Sequence, residues 1–124
     1  MNEKPIYKDW LSLDLIEDYD RYTAYMMPRL ETMPNKHNWY KNAFREHMAH
    51  QVPKAIYVAI RVRQIGKVNE LDALIAHLRY LMRFSKSGDL RMLTNHQHET
   101  AETLLNVVGG KVGAYKKNIQ ANRV

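Results

Sequence analysis

From Thr94 to Ile119, apolar side chains recur at Ala101, Leu105, Val108, Val112, Tyr115 and Ile119. Steps of 4, 3, 4, 3 and 4 put all six on one face of an α-helix, where a strand would need strict alternation. Three more segments read the same way. Over residues 13–33 the apolar stripe is Leu15, Ile16, Tyr19, Tyr22, Met26, Leu30 and Met33. Over 39–64 it is Phe44, Met48, Val52, Ala55, Ala59 and Val62, and over 69–86 it is Leu71, Leu74, Ile75, Leu78, Leu81 and Met82. The pattern predicts helices over about 13–33, 39–64, 69–86 and 94–119, in one domain spanning 1–124. Connections of a few residues favour antiparallel neighbours, so the expected architecture is all-α, an up-down-up-down four-helix bundle.

Local signals set the expected boundaries. Asp14 reads as the first N-cap with Glu17 three residues on, and Asp18 and Asp20 suit the positive end of that helix. Pro28 is expected to bend the first helix near Ala24–Met27, and Pro34 to end it. Pro53 is the sharpest local conflict. A kink is expected there rather than a break, because the apolar phase runs on. Gly66-Lys67-Val68 reads as a turn and Asn69 as the third N-cap. Ser87-Gly88-Asp89 interrupts the chain, with a loop over 88–93. Thr94 and Gln97 form a capping box for the last helix, and the final residues are expected to fray.

Charge sharpens this picture. The net charge is +6, unevenly spread: −3 over residues 1–33, +6 over 34–67, +1 over 68–93 and +2 over 94–124. A basic middle and tail beside an acidic first helix point to an anionic partner on part of the surface. With no cysteine there is no disulfide framework and no thiolate chemistry. No apolar run reaches the roughly 20 residues of a membrane span. Met1-Asn2-Glu3-Lys4-Pro5 lacks a signal-peptide core, so a cytoplasmic location is expected.

The third helix carries more apolar surface than one core needs. Ala73, His77, Tyr80 and Phe84 lie opposite its stripe, and an oligomer interface is the physical alternative to aromatics in water. Beside them run Arg79, Arg83 and Lys86, whose mutual repulsion an anion would offset. That anion is a phosphate backbone, a neighbouring subunit or the acids of the first helix. On the second helix, His47, His50, Lys54, Tyr57 and Arg61 form a basic strip with one aromatic, a pattern that either holds phosphates or is a solvated face. Lys116, Lys117 and Arg123 add a basic tail.

Catalysis is poorly supported. There is no nucleophile elbow, phosphate loop or dinucleotide fingerprint, and the acids crowd the solvated start of the first helix. The histidines lack converging partners, so no metal or cofactor is expected; His96 and His98 fall in the first turn of the last helix. Gly109 and Gly113 lie inside a helix and present a flat surface for close approach.

With these residues in view, the chain resembles the accessory variability determinant (Avd) proteins of diversity-generating retroelements. The resemblance covers about residues 15–117. It rests on Glu17-x-Tyr19-Asp20-Arg21, Tyr25-x-x-Pro28 and Met33-Pro34-x-Lys36-His37, then on Phe44 and Gln51-Val52. Leu78-Arg79-Tyr80-x-x-Arg83-Phe84 continues it, followed by Thr94-x-His96-Gln97-x-Glu99-Thr100-Ala101 and Val108-Gly109-x-x-x-Gly113. Pro53 departs from the family pattern. The resemblance implies a non-enzymatic, four-helix-bundle protein that assembles as a basic, barrel-like homopentamer. It implies binding to a reverse transcriptase and its template RNA in support of mutagenic cDNA synthesis, in a prokaryotic or phage-encoded element. Arg79, Arg83, Lys36 and Arg21 become the carried-over contacts for nucleic acid or polymerase, with Lys86, Lys54 and Arg61 beside them. Ala73, His77, Tyr80 and Phe84 become the subunit contact. Two other readings stand: a stand-alone protein of the ribosomal-RNA intervening-sequence type with an RNA or protein partner, and an enzyme with a site between helices.

Overall fold

A computed structural model describes residues 10–86 and 92–121. Within them the chain forms four helical rods. α1 (Trp10–Glu31) leads through a short 3₁₀ turn, Asn35–His37, into α2 (Asn38–Glu46). α2 passes without a break through a π-helical turn, His47–Gln51, into α3 (Val52–Val62). α4 (Ile65–Ser85) and α5 (Asn95–Ala121) complete the bundle. No strand occurs among the described residues.

The rods alternate in direction. Lys41 at the start of α2 donates to the Met33 carbonyl just past α1, while Tyr19 farther back in α1 reaches Met48. Tyr40 in α2 donates to the Leu81 carbonyl late in α4, and His47 lies 2.7 Å from the carbonyl of the earlier Leu74. α5 packs chiefly between α1 and α4. The core is one continuous cluster from Leu15 to Ile119, built from the predicted stripes of α1, α4 and α5 and most of the one read over 39–64, together with Tyr40, Ile56, Ile60, Val68, Met92 and Leu93, which the sequence reading had not placed in it. Every predicted core residue of α1 and α4 is buried except Ile16 and Leu74, which pack half-buried against it.

The largest departure from the sequence reading is at Pro53. Proline has no N–H, and in an α-helix its ring would strike the carbonyl four residues back. The chain answers with a π turn, in which each N–H bonds the carbonyl five back, as Val52 does to His47. In that register the carbonyl waiting for residue 53 is that of Met48. The buried Tyr19 hydroxyl donates to it instead, at 2.6 Å. Burial pushes the Tyr19 phenol well above its ordinary range, so it stays a donor. The rod therefore neither breaks nor keeps its phase. Tyr40, Phe44, Met48, Val52, Ile56 and Ile60 are all buried at steps of four, a drift of about 40° per step that a straight α-helix would turn off its face. The extra residue in the π turn absorbs part of that drift. Ile56 and Ile60 are buried where Ala55 and Val62 were expected; Ala55 is half-buried and Val62 is 42% exposed.

Other boundaries also move. α1 is already helical at Trp10, the first described residue, so Asp14 lies inside it and is not its cap. α1 continues through Pro28 to Glu31. The second turn sits at Arg63-Gln64, not at Gly66-Lys67-Val68, and α4 begins at Ile65, leaving Asn69 within the helix. Arg63 adopts the left-handed conformation, φ 56°. Such a residue is usually glycine; here the guanidinium reaches the Tyr115 hydroxyl and Asn118 on α5, which offsets backbone strain of about 1 kcal/mol. The Thr94–Gln97 capping box forms as expected, with reciprocal bonds of 3.1 and 3.0 Å. The expected break at Ser87-Gly88-Asp89, most of the 88–93 loop and the last three residues lie outside the described residues.

Candidate nucleic-acid interface

α4 and α5 frame an open groove of about 650 Å³ lined by Ala76, Arg79, Tyr80, Arg83, Lys86, His98 and Glu102. The helical spacing of 79, 83 and 86 sends three cations along one wall. None of the three forms an ion pair among the described residues. Arg83 and Lys86 are exposed, whereas Arg79 is half-buried and lies across onto α5, where its Nη1 donates to the Asn106 side chain. An alanine Cβ at Gly109 would sit 2.8 Å from Arg79 Nη2. The missing side chain is thus what leaves room for the guanidinium. The flat surface expected of Gly109 is used by Arg79 rather than by another backbone, while Gly110 and Gly113 face open space.

The opposite wall is polar. Glu102, Asn106 and Gly109 recur at i, i+4 and i+7 on α5, a single stripe turned toward α4. Sequence reasoning missed that stripe because it carries no net charge pattern. His98 belongs to it as well; it is 6% exposed, and its Nε2 has no hydrogen-bond partner among the described residues.

The acids of α1 do not serve this groove. Asp18, read as solvated, is 8% exposed. It pairs with Arg21 and with Lys111, the latter at 3.2 Å, and Asp14 lies 3.9 Å from Lys111. Arg21 therefore stands apart from the groove with its charge matched. Lys36 is exposed in the 3₁₀ turn. Lys54 and Arg61 are exposed on α3; Lys54 lines a separate shallow cavity with Lys67 and Glu70. The strip drawn through His47, His50, Lys54, Tyr57 and Arg61 loses its first member. His47 is 6% exposed, bonded to the Leu74 carbonyl and packed on His77 with ring centroids 4.3 Å apart. Burial, and secondarily His77, lowers its pKa.

The second apolar face of α4 is partly covered by the chain itself. Phe84 meets Trp39 and Tyr40, at centroid distances of 6.0 and 5.7 Å, and stacks on Tyr80 at 6.1 Å. Tyr80 stays 53% exposed and Trp39, which the sequence reading passed over, 61%. Ala73 and His77 are exposed. Tyr80 thus belongs to both surfaces, the groove on one side and the aromatic face on the other.

The chain has a counterpart among known families. A family model described as bAvd-like matches residues 15–119. The chain belongs to the bAvd-like family. No curated protein matches it significantly. The matched span contains every groove residue of this bAvd-like chain. Among its described residues, no helix is long and apolar enough to cross a membrane, and no group of three or more His, Asp or Glu is placed to hold a metal ion.

Proposed function

We propose that this bAvd-like protein is a non-enzymatic accessory factor of a diversity-generating retroelement. It binds the template RNA and the reverse transcriptase through the α4–α5 groove and supports mutagenic cDNA synthesis. The observation that carries this reading is the row Arg79, Arg83 and Lys86 held along one groove without an ion-pair partner among the described residues. The mechanism is electrostatic positioning. Cationic side chains neutralise backbone phosphates and release counterions, so affinity falls steeply with salt, and arginine adds bidentate geometry. Lys36, Lys54 and Arg61 extend the positive surface, and Arg21 contributes least because Asp18 already engages it.

The aromatic face supports assembly into a homopentamer. Exposed Tyr80 and Trp39, with Phe84, His77 and Ala73, form a patch that a second copy would cover. Assembly would multiply the groove around a common axis and raise avidity for a long polyanion.

The test is a double charge reversal, Arg79→Glu with Arg83→Glu. Binding of labelled template RNA and co-purification with the reverse transcriptase should both be lost, with the helical circular dichroism unchanged. Wild-type binding by the double variant overturns the site assignment. Native mass measurement tests the assembly, and a monomer at micromolar concentration would overturn it.

A further inference from the structure

In the groove, α4 supplies the charge, but α5 determines where the central charge sits. Helix-interior glycine costs about 1 kcal/mol relative to alanine, so Gly109 is a locally unfavourable choice for α5. Its one evident consequence is the place occupied by Arg79 Nη2, 2.8 Å from where a Cβ would stand. Three residues earlier, Asn106 accepts from Nη1 of the same group. An amide at that position orients the guanidinium and leaves its charge unneutralised, whereas a carboxylate would cancel it. His98, on the same α5 stripe, is buried with its Nε2 lacking a partner among the described residues. The oriented, unneutralised Arg79 guanidinium is the arrangement that an incoming oxyanion would complete.

We propose that the α4–α5 groove is a built seat for a backbone phosphate, in which Gly109 and Asn106 act as positioning residues that pre-seat Arg79. This rests on the nucleic-acid reading above and deepens it. Arg83 and Lys86 are exposed, with no ion pair among the described residues, and serve any phosphate nearby. Arg79 is held, so less side-chain freedom is lost when it binds.

The experiment compares two glycines that cost the helix the same but differ in what their Cβ would meet. In Gly109→Ala the new methyl displaces the Arg79 guanidinium; in Gly110→Ala it meets nothing within 4 Å. The probe is a fluorescein-labelled, unstructured single-stranded RNA of about 20 nucleotides, titrated by anisotropy at several salt concentrations. For Gly109→Ala the dissociation constant should rise about fivefold and the salt slope should fall by about one counterion, although net charge is unchanged. Its melting temperature should be equal or higher, as helix propensity dictates. Gly110→Ala should keep the wild-type affinity and slope. Asn106→Leu, which removes the amide without filling the slot, should weaken RNA binding in the same direction and covers the case of a misfolded Gly109→Ala. Wild-type affinity and slope in Gly109→Ala, or equal losses in the two glycine variants, overturn the proposal. The double charge reversal separates the two levels. If it abolishes binding while Gly109→Ala does not change it, the seat is wrong and the function stands. If it too binds normally, the nucleic-acid reading itself fails.

Discussion

α5 has two charged flanks, and they treat their cations in opposite ways. On the side facing α1, Lys111 meets Asp14 and Asp18, and Asp18 also holds Arg21. On the side facing α4, Arg79 meets an amide and a bare glycine, and Arg83 and Lys86 meet no carboxylate within ion-pair distance among the described residues. The first arrangement joins helices: a nearly buried carboxylate needs a cation, and two are supplied. The second leaves positive potential standing over a groove, which contributes little to folding and much to attracting an anion. One helix can serve both purposes because residues at i, i+4 and i+7 share a face, while Lys111 projects from another.

The comparison breaks most visibly on its folded flank. Asp18→Ala removes the partner of two cations and should lower stability by about 1–3 kcal/mol, a drop of several degrees in melting temperature. RNA affinity should hold or rise, because Lys111 and Arg21 become free. Loss of RNA binding in a folded Asp18→Ala protein would mean that the two flanks are coupled.

Next in size is the conversion of the open flank into a copy of the closed one. Asn106→Asp puts a carboxylate under Arg79. RNA affinity should fall about tenfold at low salt, equivalent to about 1.4 kcal/mol, while stability stays equal or improves slightly. Titration of labelled RNA alongside thermal melting measures both, and unchanged affinity would contradict the assigned role of Asn106.

A smaller effect belongs to neither flank. His47 has a folded pKa below its ordinary value of 6.5, because burial penalises the charged form. The unfolded chain then binds the proton more readily. Stability from this site is therefore complete above about pH 6.5 and is lost as pH falls below it. Urea midpoints at pH 7.5 and 5.5 should differ less in His47→Gln than in wild type, since glutamine can keep the bond to Leu74 without titrating. The smallest change is Glu102→Gln, which removes the one acid among the described residues of the groove lining and should tighten RNA binding about two- to threefold with no change in melting temperature.

Legibility in the sequence followed the range of the interaction. The stripes of α1, α4 and α5 could be read because each repeats within one helix and needs only a partner of any kind. The Thr94–Gln97 box could be read because its two halves are three residues apart. The row Arg79, Arg83 and Lys86 was equally visible, but its freedom was not. Asp18 and Asp20 were equally available as partners until the fold turned Asp18 toward Lys111. Asn106 and Gly109 carry no signature of their own, and only the approach of α4 gives them a role. The turn at Arg63 was misplaced because glycine normally marks such a site, and here contacts from α5 hold an arginine in that conformation.

The sequence by itself determined four amphipathic rods, a capped final helix and a basic face on α4, since these depend on periodicity and on neighbours a turn away. Tertiary structure decided what happens at Pro53. The Tyr19 hydroxyl, 29 residues before Met48 in the chain, takes the place of a missing N–H, and its reach to the Met48 carbonyl exists only once α1 has packed. It also decided which cations are cancelled and which stand open, because a salt bridge is a fact about distance in space, and distance between helices is set by how their stripes pack.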